Sequence, residues 1–108
     1  MNVAAALSPA FTALADPTRQ RIVEMLASGP LAAGEIASRF ALSAPAVSQH
    51  LKTLKTARLV RVHAEKQRRI YALDPEGVDE VAQWVARIRA FWNPRLDALE
   101  AALKREAP

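Results

Sequence analysis

Residues 42–60 read LSAPAVSQHLKTLKTARLV, and the periodicity of this stretch decides the fold. Val47, Leu51 and Leu54 recur at four and three residues, the apolar seam of an amphipathic helix running to about Thr56. Ser43 stands where an N-cap belongs, and Pro45 lies in the first turn, where a missing N–H costs little. With the seam turned inward, the helical wheel places Pro45, Gln49 and Lys52 on the opposite side. Ser48 and Lys55 flank them on one border, and His50 lies on the other.

Working outward, LAAGEIASRFALS predicts a short helix around Ala33–Phe40 with Ile36, Ala37 and Phe40 as its apolar stripe, joined to the first helix by only a few residues. Before it, ADPTRQRIVEMLASGP predicts a helix capped by Asp16, with Pro17 at its first position and Gly29-Pro30 as its stop. Ile22, Met25 and Leu26 share its inward face. SPAFTALA repeats the device, so a short helix is expected to begin at Ser8-Pro9. Beyond residue 58 the period changes. LVRVHAE and RRIYALD show partial alternation and read as a two-stranded hairpin lying against the helices, with KQ at its turn. From Pro75 to about Arg105 the pattern is helical again, and Pro94 predicts a kink or break near residues 90–94.

Composition narrows the function. The chain has 108 residues, 15 basic against 11 acidic, and no cysteine. This length fits one domain, residues 1–108, and the missing thiols exclude disulfides and thiolate metal sites. Ile36–Leu73 carries eight basic side chains and one acidic, whereas residues 74–108 carry five and seven. That asymmetry places a cationic working face on a nearly neutral scaffold and points to a polyanionic partner. No apolar run is long enough to span a bilayer, and MNVAAALSPAF lacks a basic leader, so a soluble cytoplasmic protein is expected.

Two short helices with a tight link, followed by a basic hairpin, follow the order of a winged helix-turn-helix: mainly α with a small β-hairpin. A helix with this polar face fits the major groove, where Gln49 offers paired contacts to adenine and Ser48 bonds to several base edges. Small Ala44 and Ala46 allow close approach, Lys52 and Lys55 meet phosphates, and Ser43, Pro45 and His50 complete the expected DNA-contacting set of this helix. Lys66, Gln67, Arg68 and Arg69 at the hairpin tip reach the neighbouring backbone or minor groove. Thr18 and Arg19 add a phosphate contact at a helix N-terminus, or Arg19 serves as a structural ion-pair partner. Each feature alone is ordinary for a solvated surface; their order and the charge asymmetry favour DNA binding.

LADPTRQRIVEML, GEIASRFALSAPAVSQHLKTLKTARLV and RRIYAL together resemble the ArsR-type (arsenical-repressor-like) winged-helix transcriptional regulators, over nearly the whole chain. The resemblance rests on Asp-Pro-Thr-Arg opening one helix, Ser-x-x-His-Leu-x-x-Leu in another, and a wing strand carrying Arg69 and Tyr71. It implies a homodimeric repressor on a two-fold symmetric operator, paired through the first and last helices, residues 1–15 and 75–105. Leu7 and Phe11 would then join Val81, Trp84, Val85, Ile88, Phe91, Trp92, Leu96, Leu99 and Leu103 at the interface. That apolar stripe independently asks for a partner, since it exceeds what one small domain buries. Arg58 stands where the family usually has glycine.

The family's metal sites are not expected. The cysteines of its arsenic and cadmium sensors are absent from AAGEIA, and the last helix has acids but no histidine. His50 and His63 have no histidine three or four residues away. No cofactor is expected either. Ser48 and His50 face different directions with no acid to orient the histidine, so enzymatic chemistry has no support. Two other readings remain: a winged-helix protein-interaction module that has lost DNA binding, and an effector pocket lined by Trp84, Phe91 and Trp92. The basic wing argues against the first, and the second is compatible with regulation.

Overall fold

The expected caps at Asp16 and Ser43 hold, and Asp74 adds a third start in which an oxygen acceptor precedes proline by one or two residues. A computed structural model describes residues 3–107, with the side chains of residues 7–107. The elements in chain order are α1 (Val3–Leu14), α2 (Pro17–Leu26), β1 (Leu31–Ala32), α3 (Ala33–Ala37), α4 (Ala44–Thr56), β2 (Val60–Glu65), β3 (Arg68–Leu73) and α5 (Pro75–Glu106). Asp16 accepts from the Arg19 amide at 3.0 Å, Ser43 from the Ala46 amide at 3.2 Å, and Asp74 from the Glu76 amide at 3.0 Å. Each satisfies an amide that a helix start leaves unpaired, while proline contributes no amide to satisfy.

α1 departs from expectation. It starts at Val3 rather than at Ser8, and Pro9 lies inside it. Alanine-rich sequence extends the helix upstream, and the burial of Leu7, Ala10 and Ala13 along it offsets the hydrogen bond that Pro9 removes. Pro94 likewise sits within α5, which runs unbroken for 32 residues, so the expected break does not occur. The Arg95 side chain donates to the Phe91 carbonyl at 2.7 Å, meeting a backbone acceptor one turn before itself. α3 is shorter than expected and ends at Ala37, with Phe40 half-buried in the turn that follows.

The core joins α1, α2, α3, α4 and the sheet. Ile22 and Leu26 of α2 meet Ile36, the α4 seam of Val47, Leu51 and Leu54, and Leu59, Val60 and Tyr71. The hairpin is not alone: β1 adds a third strand, giving the antiparallel order β1-β3-β2, with Leu31 opposite Tyr71 and Val62 opposite Tyr71 on the other side. Two residues are too few to show alternation, which explains why β1 left no pattern in the sequence. Among the described residues no helix is long and apolar enough to cross a membrane.

The turn after α4 fixes the wing and the last helix together. Leu59 N–H bonds to Leu54 O and Arg58 N–H to Lys55 O, both at 3.0 Å, the paired bonds of a Schellman cap. That cap needs a left-handed residue, and Arg58 supplies it at φ 63° where glycine is usual. The arginine gains contacts with α5, at 3.1 Å to Glu76 and 4.0 Å to Glu80. Gly77 is buried against this turn, and a Cβ there would overlap the Arg58 carbonyl oxygen. In an open helix, glycine to alanine stabilises by about 1 kcal/mol. Gly77→Ala reverses that sign and destabilises by about 1–3 kcal/mol, read as a lower urea midpoint.

Candidate nucleic-acid interface

Burying Val47, Leu51 and Leu54 to 1% exposure or less forces the other side of α4 outward. Pro45, Ser48, Gln49, Lys52 and Lys55 are exposed there, and they share one hollow of about 470 Å³ with Val62, Arg69 and Tyr71 of the wing. Recognition helix and wing therefore present one continuous surface. Among the described residues, Lys52, Lys55, Lys66 and Arg69 have no carboxylate partner within ion-pair distance, whereas Arg58 and Arg68 are paired. Three of these cations, Lys52, Lys55 and Arg69, line the hollow beside Gln49 and Ser48, a composition suited to a polyanion that offers hydrogen-bonding edges. Val62 is not singled out by the sequence, whereas strand alternation places Tyr71, already marked by the wing motif, on the same face as Arg69.

The wing divides its two arginines. Adjacent strand residues point to opposite faces. Arg69 joins the α4 hollow, while Arg68 turns to α3 and donates to Glu35 at 2.9 Å. The same Glu35 oxygen accepts from the Ala32 amide at 3.0 Å, so the carboxylate caps α3 and holds the wing at once. Lys66 is exposed in a left-handed turn conformation, φ 59°, and Gln67 lines a second hollow with Ala32–Glu35, Arg68 and Arg69, so that Arg69 borders both hollows.

The remaining predicted contacts lie elsewhere. Ser43 is exposed with its hydroxyl engaged in the cap, Ala44 is exposed and Ala46 is half-buried. Thr18 is half-buried in the first turn of α2. Arg19 and His50 do not join the hollow; they meet each other at 3.2 Å between α2 and α4. Asp16 lies beside them. The Arg19 amide holds its carboxyl below the ordinary value, opposed by desolvation and helped by the Arg19 charge. A depressed carboxylate stabilises the fold above its unfolded pKa, and that contribution is lost as pH falls through the lowered folded value.

The apolar stripe of α5 splits into two parts. Leu7 is buried, Val81 packs on the core, and Trp84 meets Phe11 edge-on at 5.0 Å, so these four are held within the chain. Val85, Ile88, Phe91, Trp92, Leu96, Leu99 and Leu103 are 41–61% exposed. Phe91 and Trp92 meet edge-on at 5.8 Å as an exposed ledge rather than as the walls of an enclosed pocket. A hollow of about 540 Å³ lies instead between α1 and α4, sharing Gln49 and Lys52 with the wing-side surface. Among the described residues no three His, Cys, Asp or Glu side chains gather as a metal site.

A winged helix-turn-helix is thus defined, with α3 and α4 as the paired helices and β2–β3 as the wing. Residues 16–62 match the model of the family described as "Bacterial regulatory protein, arsR family". The chain is 61% identical over 87 residues to the HTH-type transcriptional regulator Rv2034 of Mycobacterium tuberculosis, covering 81% of this chain and 78% of that one. It is 36% identical to the transcriptional repressor SdpR of Bacillus subtilis, covering 69% and 83%. A crystal structure of the ArsR family regulator RHA00566 superposes with a TM-score of 0.73 at 31% identity, covering 82% and 91%. The chain belongs to the arsR family of bacterial regulatory proteins.

The divided arginines give unequal outcomes on DNA. Arg69→Ala lowers the slope of log affinity against log salt by about 0.9, one phosphate contact, while Arg68→Ala lowers it by less. Anisotropy titrations at two or more salt concentrations measure both slopes.

Proposed function

We propose that this protein is a homodimeric repressor that binds double-stranded DNA at an operator of two-fold symmetry. One observation carries the reading: Ser48, Gln49, Lys52, Lys55 and Arg69 line a single hollow between recognition helix and wing. Gln49 and Ser48 read base edges in the major groove, and the lysines with Arg69 neutralise phosphates. Lys66 and Gln67 extend the contact from the wing tip. The protein acts by binding alone, in the cytoplasm where the DNA lies, and no resident cofactor enters the reading. Two relatives, the SdpR repressor and the arsenical resistance operon repressor of Staphylococcus xylosus, are repressors and favour repression here.

The dimer follows from α5. Its 32 residues span about 48 Å, and the chain extends 65 Å along its longest axis. The radius of gyration is 18.7 Å, against about 13 Å for a compact chain of this length. A long arm with seven exposed apolar side chains is stable in water when a second copy covers it. Residues 1–108 then work as one domain, with residues 75–105 and the first helix supplying the dimer contact, chiefly from Val85 onward. A solved relative from Mycobacterium bovis, 24% identical and with a TM-score of 0.64, is a homodimeric winged helix-turn-helix domain.

Random-site selection on the purified protein yields two inverted half-sites about one DNA turn apart, roughly 34 Å. Unrelated sequences without symmetry overturn the reading. Gln49→Ala costs about 1–3 kcal/mol on the selected site and relaxes discrimination at one base pair. Leu99→Asp converts a micromolar dimer to a monomer in sedimentation equilibrium and abolishes tight operator binding; a dimer that survives it refutes the α5 interface.

A further inference from the structure

Arg19 and His50 stand in the sequence where DNA contacts are expected, but both are half-buried and bonded to each other within the protein. The Arg19 guanidinium donates through Nε to the Ala13 carbonyl at 2.7 Å and through Nη2 to the Thr12 carbonyl at 3.4 Å. These are carbonyls of the last turn of α1, where a cation is favoured, and the Thr12 carbonyl also accepts from the Ala15 amide at 3.2 Å. Gln20 completes the set by donating to the Leu14 carbonyl at 2.7 Å. The third guanidinium nitrogen, Nη1, lies 3.2 Å from Nδ1 of His50, on the flank of the recognition helix. Asp16 fixes the start of this arrangement by accepting from the Arg19 amide at 3.0 Å.

One planar group therefore joins the end of α1, the first turn of α2 and the middle of α4. The joint has a chemical requirement. Guanidinium nitrogens only donate, so Nδ1 of His50 must be the acceptor and carry no proton, leaving the proton on Nε2. Asp16 Oδ2 is 3.9 Å from the same Nδ1, beyond hydrogen-bond reach, and is already held by the Arg19 amide. His50 is next in sequence to Gln49, and it lies about 100° around the helix from it. The apolar seam alone permits small rotations of α4 about its axis; a directional hydrogen bond at its flank restricts them.

We propose that Arg19 and His50 are a positioning pair that sets the rotation of the recognition helix, so that base discrimination by Gln49 depends on two residues that never touch DNA. The inference rests on the DNA-binding reading above and deepens it. A side chain acting through another lowers discrimination between sequences while leaving the count of neutralised phosphates unchanged. A direct phosphate contact does the reverse.

The test uses the full chain, with cooperative thermal unfolding confirmed for every variant. Anisotropy titrations on the selected operator and on an unrelated duplex, at several salt concentrations, compare wild type with Arg19→Lys, His50→Ala, His50→Asn and the Arg19→Lys/His50→Ala double variant. Arg19→Lys and His50→Ala each lose roughly tenfold on the operator and less than twofold on the unrelated duplex, with unchanged salt slopes. His50→Asn recovers most of the loss, because its amide oxygen also accepts from Arg19. The double variant is no weaker than either single one. Equal losses on both duplexes, a salt slope reduced by about 0.9, or additive losses overturn the proposal. Long-range nitrogen–proton NMR of the free protein near pH 8 provides a readout independent of DNA. A His50 proton on Nε2 supports the pair, and a proton on Nδ1 overturns it even where operator binding is intact. Wild type that binds no duplex overturns the DNA-binding reading itself, and the role in base discrimination with it.

Discussion

Val47, Leu51 and Leu54 hold α4 by one face, and the rest of the structure depends on that attachment. All three are essentially excluded from solvent, against Ile22, Ile36, Leu59 and Tyr71 of the surrounding elements. A helix is stiff, so anchoring one stripe determines what the opposite stripe does. Pro45, Ser48, Gln49 and Lys52 are exposed because the seam is buried. The polar ridge is a consequence of packing as much as of composition.

The wing shows how a two-residue period distributes function. Arg68 and Arg69 are neighbours in sequence and equal in charge, yet one braces the wing against Glu35 of α3 and the other faces the recognition helix. Glu35 holds both the Ala32 amide and Arg68, so the start of α3 and the position of the wing are set by one carboxylate. The pair is largely exposed and contributes little to stability by itself. Its effect is geometric, since it holds one arginine against α3 while Arg69 lines the hollow shared with α4.

The far end of α4 is tied to α5 as firmly as its flank is tied to α1. Arg58 accepts a left-handed conformation, at a cost of about 1 kcal/mol, and reaches Glu76 and Glu80 in return. Gly77 allows α5 to pass directly against the Arg58 carbonyl. Helix α5 then leaves the core after Trp84 as an arm whose apolar side chains remain exposed. The recognition helix is thus connected to both elements through which family resemblance predicts pairing of two copies.

Local chemistry was legible in the sequence. The caps at Asp16 and Ser43, the seam of α4 and the hairpin strands depend on neighbours within a few residues, and they stand where periodicity and capping put them. Helix α1 was misread because Ser8-Pro9 imitates a helix start, and only burial of Leu7, Ala10 and Ala13 shows that the helix passes through. Strand β1 is too short to carry a period and exists through its pairing with β3. The partners of Arg19, His50 and Arg68 lie 6–33 residues away in the chain. A sequence states that a side chain carries charge; which of its neighbours claims that charge is decided when distant segments meet.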